Sequence, residues 1–216
     1  MKNVILAVLF TALLGSCNSS PRQKSDEVAQ KMTSISQDVE MDTATLAGGC
    51  FWCIEAAFEQ IDGVIEAVSG YSGGTKSNAD YYKVASGKTN HAEAVQVYYD
   101  ANKLSYEVIL DIFFTAHDPT QLNRQGPDVG PQYRTAIFYH DSNQKSIAEK
   151  KIEELSPSYD EPIVTEVNKL EAFYKAEEYH QNYQKKNPYQ PYIVSISKPK
   201  AAKVRKKFPE LIKKDR

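Results

Sequence analysis

Two glycines, two cysteines and an aromatic pair stand together in Gly48-Gly49-Cys50-Phe51-Trp52-Cys53, between a short apolar stretch and the start of a helical repeat. Thr45 to Ala47 reads as a strand running into the glycines; Ile54, Ala57, Phe58 and Ile61 then recur at helical spacing until Gly63. The chain therefore turns from strand into helix at Cys50. A thiol at the opening of a helix faces unpaired backbone N–H groups, whose partial positive charge favours thiolate. Cys53 is close enough in the chain to trap whatever Cys50 becomes. A zinc site is the competing reading of Cys-x-x-Cys, but it needs two more ligands and there is no second cysteine pair. His91, His117, His140 and His180 lack ligand spacing, so no metal is expected.

The front of the chain says where such chemistry would happen. Lys2 gives a positive start, and Val4 to Leu14 is apolar apart from Thr11. That run is too short to cross a bilayer, which takes about 20 residues, and fits the core of an export signal. It ends in Leu14-Gly15-Ser16-Cys17, which resembles the lipobox of bacterial lipoproteins, where the cysteine is acylated and becomes the first mature residue. An ordinary signal with an incidental cysteine is the alternative. The expectation is a signal over residues 1–17 with Cys17 lipidated, and a membrane-anchored protein of the bacterial envelope, on its periplasmic side. Residues 18–43, rich in Ser, Gln, Lys and Asp, read as a flexible tether.

Export sharpens the cysteine count. Of three cysteines in 216 residues, lipidation would take Cys17 out of thiol chemistry and leave Cys50 and Cys53. Exported proteins use paired cysteines as staples, but a bridge closing two residues constrains the unfolded chain very little. A catalytic pair is the better reading. Without signal and tether roughly 170 residues remain, one ordinary domain with a sizeable core. The formal charge of −2 is uneven, because Lys198 to Arg216 holds nine Lys or Arg against two acids. An exported protein has no evident use for nucleic acid, so residues 198–216 read as a solvated or membrane-surface tail after a domain over 44–197.

Within that domain, Val64 to Tyr71 reads as a strand, followed by a loop rich in Ser, Gly and Asn that holds Tyr81 and Tyr82. From His91 to Tyr99, Val95, Val97 and Tyr99 alternate with Ala94, Gln96 and Tyr98. Ser105 caps a helix striped by Val108, Ile109, Ile112 and Phe113. After a turn-rich stretch, Asp118 to Tyr133, come a strand at Thr135 to Tyr139 and a helix marked by Ala148, Lys151, Ile152 and Leu155. A strand at Ile163 to Val167 and a helix over Tyr174 to Lys186 complete the reading. Mixed hairpin and crossover connections imply an α+β domain, a mixed or antiparallel sheet with helices packed on it.

Gly49-Cys50-Phe51-Trp52 resembles the signature of the peptide-methionine (S)-S-oxide reductases, the A-type methionine sulfoxide reductases. Further segments agree in order: Tyr81-Tyr82-Lys83-Val84-Ala85-Ser86-Gly87, His91-Ala92-Glu93-Ala94-Val95 and His117-Asp118-Pro119-Thr120-Gln121. Arg124-Gln125-Gly126-Pro127-Asp128-Val129-Gly130, Gln132-Tyr133-Arg134 and Ala176-Glu177-Glu178-Tyr179-His180-Gln181 follow, so the resemblance covers Thr43 to Ile196. It implies a two-layer, ferredoxin-like sandwich and repair of oxidised proteins. Cys50 is similar to the family's nucleophile, Phe51 and Trp52 to the wall that holds the substrate methyl, and Glu93 to the buried proton donor. Tyr81 and Tyr133 match the phenols that converge on the sulfoxide oxygen, and Asp128 an accessory carboxylate. Pro127, Pro131 and Asn90 depart from the commoner residues at their places without removing a chemical group.

Physical chemistry supports that assignment from its own side. A sulfoxide pairs a strong hydrogen-bond acceptor with an apolar methyl, so its site needs donors opposite an aromatic wall, and reduction needs a soft nucleophile. Glu93 can donate a proton only if burial lifts its pKa well above about 4.3. No cysteine follows Cys53, so the C-terminal resolving thiols of many family members are absent; Cys53 is the internal candidate, and the alternative is an external thiol acting directly on the Cys50 sulfenic acid. The resemblance implies methionine sulfoxide, free or in proteins, as substrate, and a thioredoxin-like partner as electron source with no bound cofactor. The rivals are a thioredoxin-like disulfide oxidoreductase, in which Tyr81, Glu93 and Tyr133 have no task, and a binding module stapled by Cys50 and Cys53.

Overall fold

The computed structural model describes residues 40–214, so the expected signal, Cys17 and residues 18–39 of the tether lie outside the described residues. Pairing begins almost at once. Strand β1 (Met41–Gly48) runs antiparallel to β3 (Ala92–Asp100), with Met41 opposite Asp100 and Thr43 opposite Tyr98. Tyr99 Oη donates to Asp42 at 2.8 Å, so residues 41–43, expected in the tether, are the first part of the central sheet.

With β2 (Val64–Ser72), β6 (Thr135–Tyr139), β7 (Glu166–Lys169) and β8 (Phe173–Lys175), these strands form one six-stranded sheet in the order β7-β6-β1-β3-β2-β8. Every pairing is antiparallel except β6 with β7, so the sheet is mixed, as the sequence implied. Period-two alternation sorts its side chains. Leu46, Val95, Val97 and Ile137 join the main core, whereas Ala47, Ala94, Ala136 and Phe138 form a smaller cluster with Leu170 and Phe173. Helices α1 (Phe51–Glu59), α3 (Tyr106–Ala116) and α4 (Ser142–Leu155) share the main core. Full burial of Phe58, Phe113, Ile109 and Leu110 contributes roughly 1.5–3 kcal/mol per side chain. Ser105 Oγ accepts from the Val108 N–H, the anticipated cap of α3. Among the described residues no helix is long and apolar enough to cross a membrane.

Four expectations need correction. Tyr81 and Tyr82 sit in a short helix, α2 (Tyr81–Ala85), because Asp80 caps it by accepting from the Lys83 N–H at 3.1 Å. The strand read at Ile163 to Val167 begins only at Glu166, since the Val164 N–H is spent on the Pro119 carbonyl, outside the sheet. The helix read over Tyr174 to Lys186 shrinks to α5 (Tyr183–Lys186). Phe173–Lys175 pairs with β2 instead, the Gln181 amide bonds the Ser69 and Ala176 carbonyls, and Asn182 adopts φ 55°. Finally, the segment read as a solvated tail over 198–216 is folded in its described part, residues 198–214. Helix α6 (Lys198–Lys207) packs against α1 and α3 and buries Ala201 and Val204. The chain then returns to pair Ile212 with Ile61. Two small residues at i and i+3 suffice to dock a helix whose other positions are mostly cationic.

Candidate active site

The turn before α1 can be made only with its glycines. Gly49 has φ +93°, and a Cβ there would stand 2.6 Å from the Gln125 side chain; one at Gly48 would meet Phe113 at 2.9 Å. Cys50 follows as the N-cap residue of α1, and its carbonyl accepts from the Cys53 N–H at 3.0 Å. Both cysteines are free and buried.

In front of Cys50 lies a cavity of ≈ 200 Å³ lined by Phe51, Trp52, Tyr81, Glu93, Asp128, Tyr133, Gln190 and Tyr192 as well. Every residue that the sequence assigned to catalysis or substrate binding is therefore in its wall, delivered by separate segments of the chain. Glu93 comes from β3, which is internal to the sheet, and the residue is 2 % exposed. Its Oε2 accepts from the Phe51 N–H at 3.1 Å, one of the orphan donors that open α1. Tyr81 opens α2, and Tyr133 closes a 3₁₀ turn over Pro131–Tyr133. Asp128 starts β5 (Asp128–Val129), which pairs with β4 (Arg124–Gln125) across Gly126-Pro127. Pro127 thus sits in a hairpin loop and Pro131 at the first position of a 3₁₀ turn, places where proline loses no needed donor.

Phe51 and Trp52 form the apolar wall and are themselves braced. Trp52 stacks on Tyr183 at 3.7 Å between ring centroids and 5° between planes, and its indole N–H donates to His180 Nδ1 at 3.1 Å. Phe51 is 1 % exposed and packs against Tyr71 and His180. The brace itself hangs on Glu55, which accepts from the Asn182 and Tyr183 backbone N–H groups.

Burial dominates the electrostatics. It pushes the Glu93 carboxyl up to about 8, with the Asp128 charge adding to it, so Glu93 is neutral and carries a proton at neutral pH. Tyr81 and Tyr133 are raised chiefly by burial and stay phenols. Cys50 corrects an expectation: burial, then its contact with Cys53, holds its thiol well above the ordinary value despite the helix terminus. Cys53 takes the thiolate instead. The hydrogen bond from Cys50 brings it down to about 7, against burial and with help from Lys200. Tyr192, which the sequence reading did not single out, donates to Asp128 at 2.5 Å and lies 3.7 Å from Cys53 Sγ. It is one of 14 tyrosines in an aperiodic stretch, so no local signal marked it. Among the described residues no group of His, Cys, Asp or Glu is arranged to hold a metal ion.

Comparison with known proteins places this geometry. The family model described as "Peptide methionine sulfoxide reductase" matches residues 42–212. The chain is 56% identical over 172 residues to the peptide methionine sulfoxide reductase MsrA of Natronomonas pharaonis, covering 79% of this chain and 97% of that one. Its counterpart in Pasteurella multocida is 54% identical over 170 residues, 79% of this chain and 98% of the relative. Among solved structures, methionine sulfoxide reductase A of Corynebacterium diphtheriae superposes with a TM-score of 0.67 at 35% identity, over 70% of this chain and 78% of that one. Reduced Mxr1 from Saccharomyces cerevisiae gives the same TM-score, 0.67, at 37% identity over 69% and 87% of the two chains.

Proposed function

The chain belongs to the peptide methionine sulfoxide reductase family, whose members are oxidoreductases, and on that premise we propose how its cavity works: Cys50 attacks the sulfoxide sulfur, Glu93 protonates the oxygen and Cys53 closes a disulfide. The observation that carries this reading is the convergence of Cys50, the Phe51–Trp52 wall, protonated Glu93, Tyr81, Tyr133 and Asp128 on one small cavity. The methyl of the substrate lies against the aromatic wall, and its oxygen takes hydrogen bonds from the carboxylic acid and the phenols.

The steps balance. Cys50 passes its proton to the Cys53 thiolate beside it, and the Cys50 thiolate bonds to sulfur while the Glu93 proton goes to oxygen. The S–O bond breaks and the hydroxyl bonds to Cys50 Sγ, while the bond between Cys50 and the substrate sulfur breaks with its electron pair going to sulfur, so methionine leaves and Cys50 becomes a sulfenic acid. Cys53 then displaces the hydroxyl, which departs as water with the thiol proton and leaves a Cys50–Cys53 bridge. A thioredoxin-like dithiol reopens it. Cys50 is 6 % exposed and Cys53 0 %, so the outside thiolate attacks Cys50 and Cys53 is the leaving group. The substrates are oxidised proteins and free methionine sulfoxide. A pure disulfide exchanger, the rival assignment, leaves Glu93, Tyr81 and Tyr133 without a task.

Separated sulfoxide epimers test the assignment. Methyl and oxygen cannot trade places between aromatic wall and donors, so the S epimer is reduced and the R epimer is not; equal rates would sink it. The lipobox-like Leu14-Gly15-Ser16-Cys17 supports export and a lipid anchor on the periplasmic side of the bacterial envelope. Cys17→Ser is then active but no longer partitions into detergent, and identical partition of the two proteins refutes the anchor.

A further inference from the structure

Buried cations normally find an anion or a set of acceptors, because taking an ammonium out of water is costly. Lys200, in α6, has neither satisfied: its Nζ is buried and has no hydrogen-bond partner among the described residues. The Nζ lies 3.8 Å from the point where a Cβ on Gly49 would stand, so the charge is set against the turn that carries Cys50 and leads to Cys53. The chain just before α6 faces the same thiols. Ser197, fully buried, touches Cys53, and the Tyr192 hydroxyl lies 3.7 Å from Cys53 Sγ.

Both hydroxyls help to hold the Cys53 thiol down, but behind Lys200 and with another partner each. Ser197 Oγ donates to Gln184 Oε1 at 2.8 Å, and Tyr192 Oη donates to Asp128 at 2.5 Å. Each hydroxyl carries a single proton, so the one it gives to Gln184 or Asp128 is shared with the thiol, whereas the Lys200 charge is not. Of the other ionisable groups that act on Cys53, Glu93 is acidic and Cys50 is the second thiol. Among the described residues Lys200 is the cation that lowers the Cys53 thiol. On its far side the Lys200 chain lines a cavity of ≈ 490 Å³ with His117, Asp118, Tyr159, Asp160, Glu161 and Lys203. Asp118 is already engaged by Thr120 and Gln121, and His117 by Phe113 and Thr135.

We propose that Lys200 is a positioning residue of the reductase reaction: its buried ammonium keeps the negative charge of the thiol pair on Cys53, both before the bridge closes and when it is reopened. The proposal deepens the disulfide-closing role given to Cys53 above and rests on that reading for its catalytic consequence. In the reopening step an outside thiolate bonds to Cys50, the Cys50–Cys53 bond breaks, and its electron pair leaves on Cys53. A leaving thiolate held by a fixed cation departs faster.

The test uses the full chain with Cys17→Ser, in which Cys50 and Cys53 are the only thiols. Adding Cys50→Ser isolates Cys53, whose ionisation is followed by thiolate ultraviolet absorbance. Lys200→Met raises the pH at which Cys53 titrates by about one unit or more, and Lys200→Arg restores most of it. With Cys50 present, Lys200→Met turns over about tenfold slower near neutral pH, and Lys200→Arg restores most of the rate, a rescue by charge that a packing defect would not give. Cys53 titrating at the same pH with Lys and with Met at position 200 overturns the proposal. Cys53→Ser separates the two readings. Full turnover of that variant with a thioredoxin-like reductant ends the disulfide-closing role of Cys53, while the titration decides Lys200 either way.

Discussion

On the oxygen-facing side of the cavity, Glu93, Tyr81 and Tyr133 are kept protonated by burial; on the thiol side, fully buried Cys53 is brought to the edge of ionisation. Burial alone would raise all four groups together. The thiol side escapes because a hydrogen bond from Cys50 and the field of Lys200 oppose burial there, whereas Asp128 reinforces it at Glu93. The result reverses the ordinary order of a carboxyl and a thiol. Glu93 sits at about 8 and Cys53 at about 7, so between those values the acid still holds its proton and the thiol pair has lost one. A site that must donate a proton and supply a thiolate in the same turnover needs that inversion.

Glu93→Gln is the most drastic way to break the contrast. Glutamine keeps the shape and an acceptor for the Phe51 N–H but has no acidic proton. Single-turnover release of methionine slows by a factor on the order of 10² or more. The pH profile carries a second signature. In the wild type the rate rises as the thiol pair loses its proton near pH 7 and falls as Glu93 loses its own near pH 8. These limbs belong to the coupled site as a whole. Glu93→Gln abolishes the alkaline limb and keeps the acid one; a variant that still falls near pH 8 would remove Glu93 from the donor role.

The two sides differ also in how legible they were. The oxygen side is written in contiguous motifs: Cys50, Glu93 and Tyr133 line one cavity, and the glycines make the turn before Cys50. Strands with clean alternation were legible too: Thr135 to Tyr139 was read to the residue, and the central β3 to within one. The thiol side depends on the C-terminal segment, where the signals conflict. Six cations in ten residues of α6 hide the small docking pair Ala201 and Val204, so Lys200 read as part of a solvated run. Residues 174–186 carry helical propensity, but Gln181 binds the backbone of β2 and overrides it. The state of Cys50 was misjudged for a related reason. A helix terminus is visible in sequence, whereas the depth of burial that outweighs it is a property of the packed fold.

Tyr192→Phe sharpens the comparison at the smallest expected cost, because Tyr192 touches both sides. Its ring stands edge-on to Trp52, 6.1 Å away at 78°, and phenylalanine keeps that contact. What goes is the proton donated to Asp128 and the hydroxyl near Cys53. Asp128 is only half-buried, so water replaces much of the lost bond and turnover falls a few-fold. The direction of the pH shift is the informative part. Without its donor the Asp128 carboxylate acts on Glu93 less shielded, and a like charge disfavours ionisation, so the alkaline limb moves above pH 8. The acid limb moves up by less, since the Tyr192 hydroxyl holds the Cys53 thiol down only behind Cys50 and Lys200. Measuring turnover of the variant across the pH range reads both limbs at once. A shift confined to the acid limb would mean that Tyr192 serves the thiol, and the boundary drawn between the two sides of the cavity would have to move.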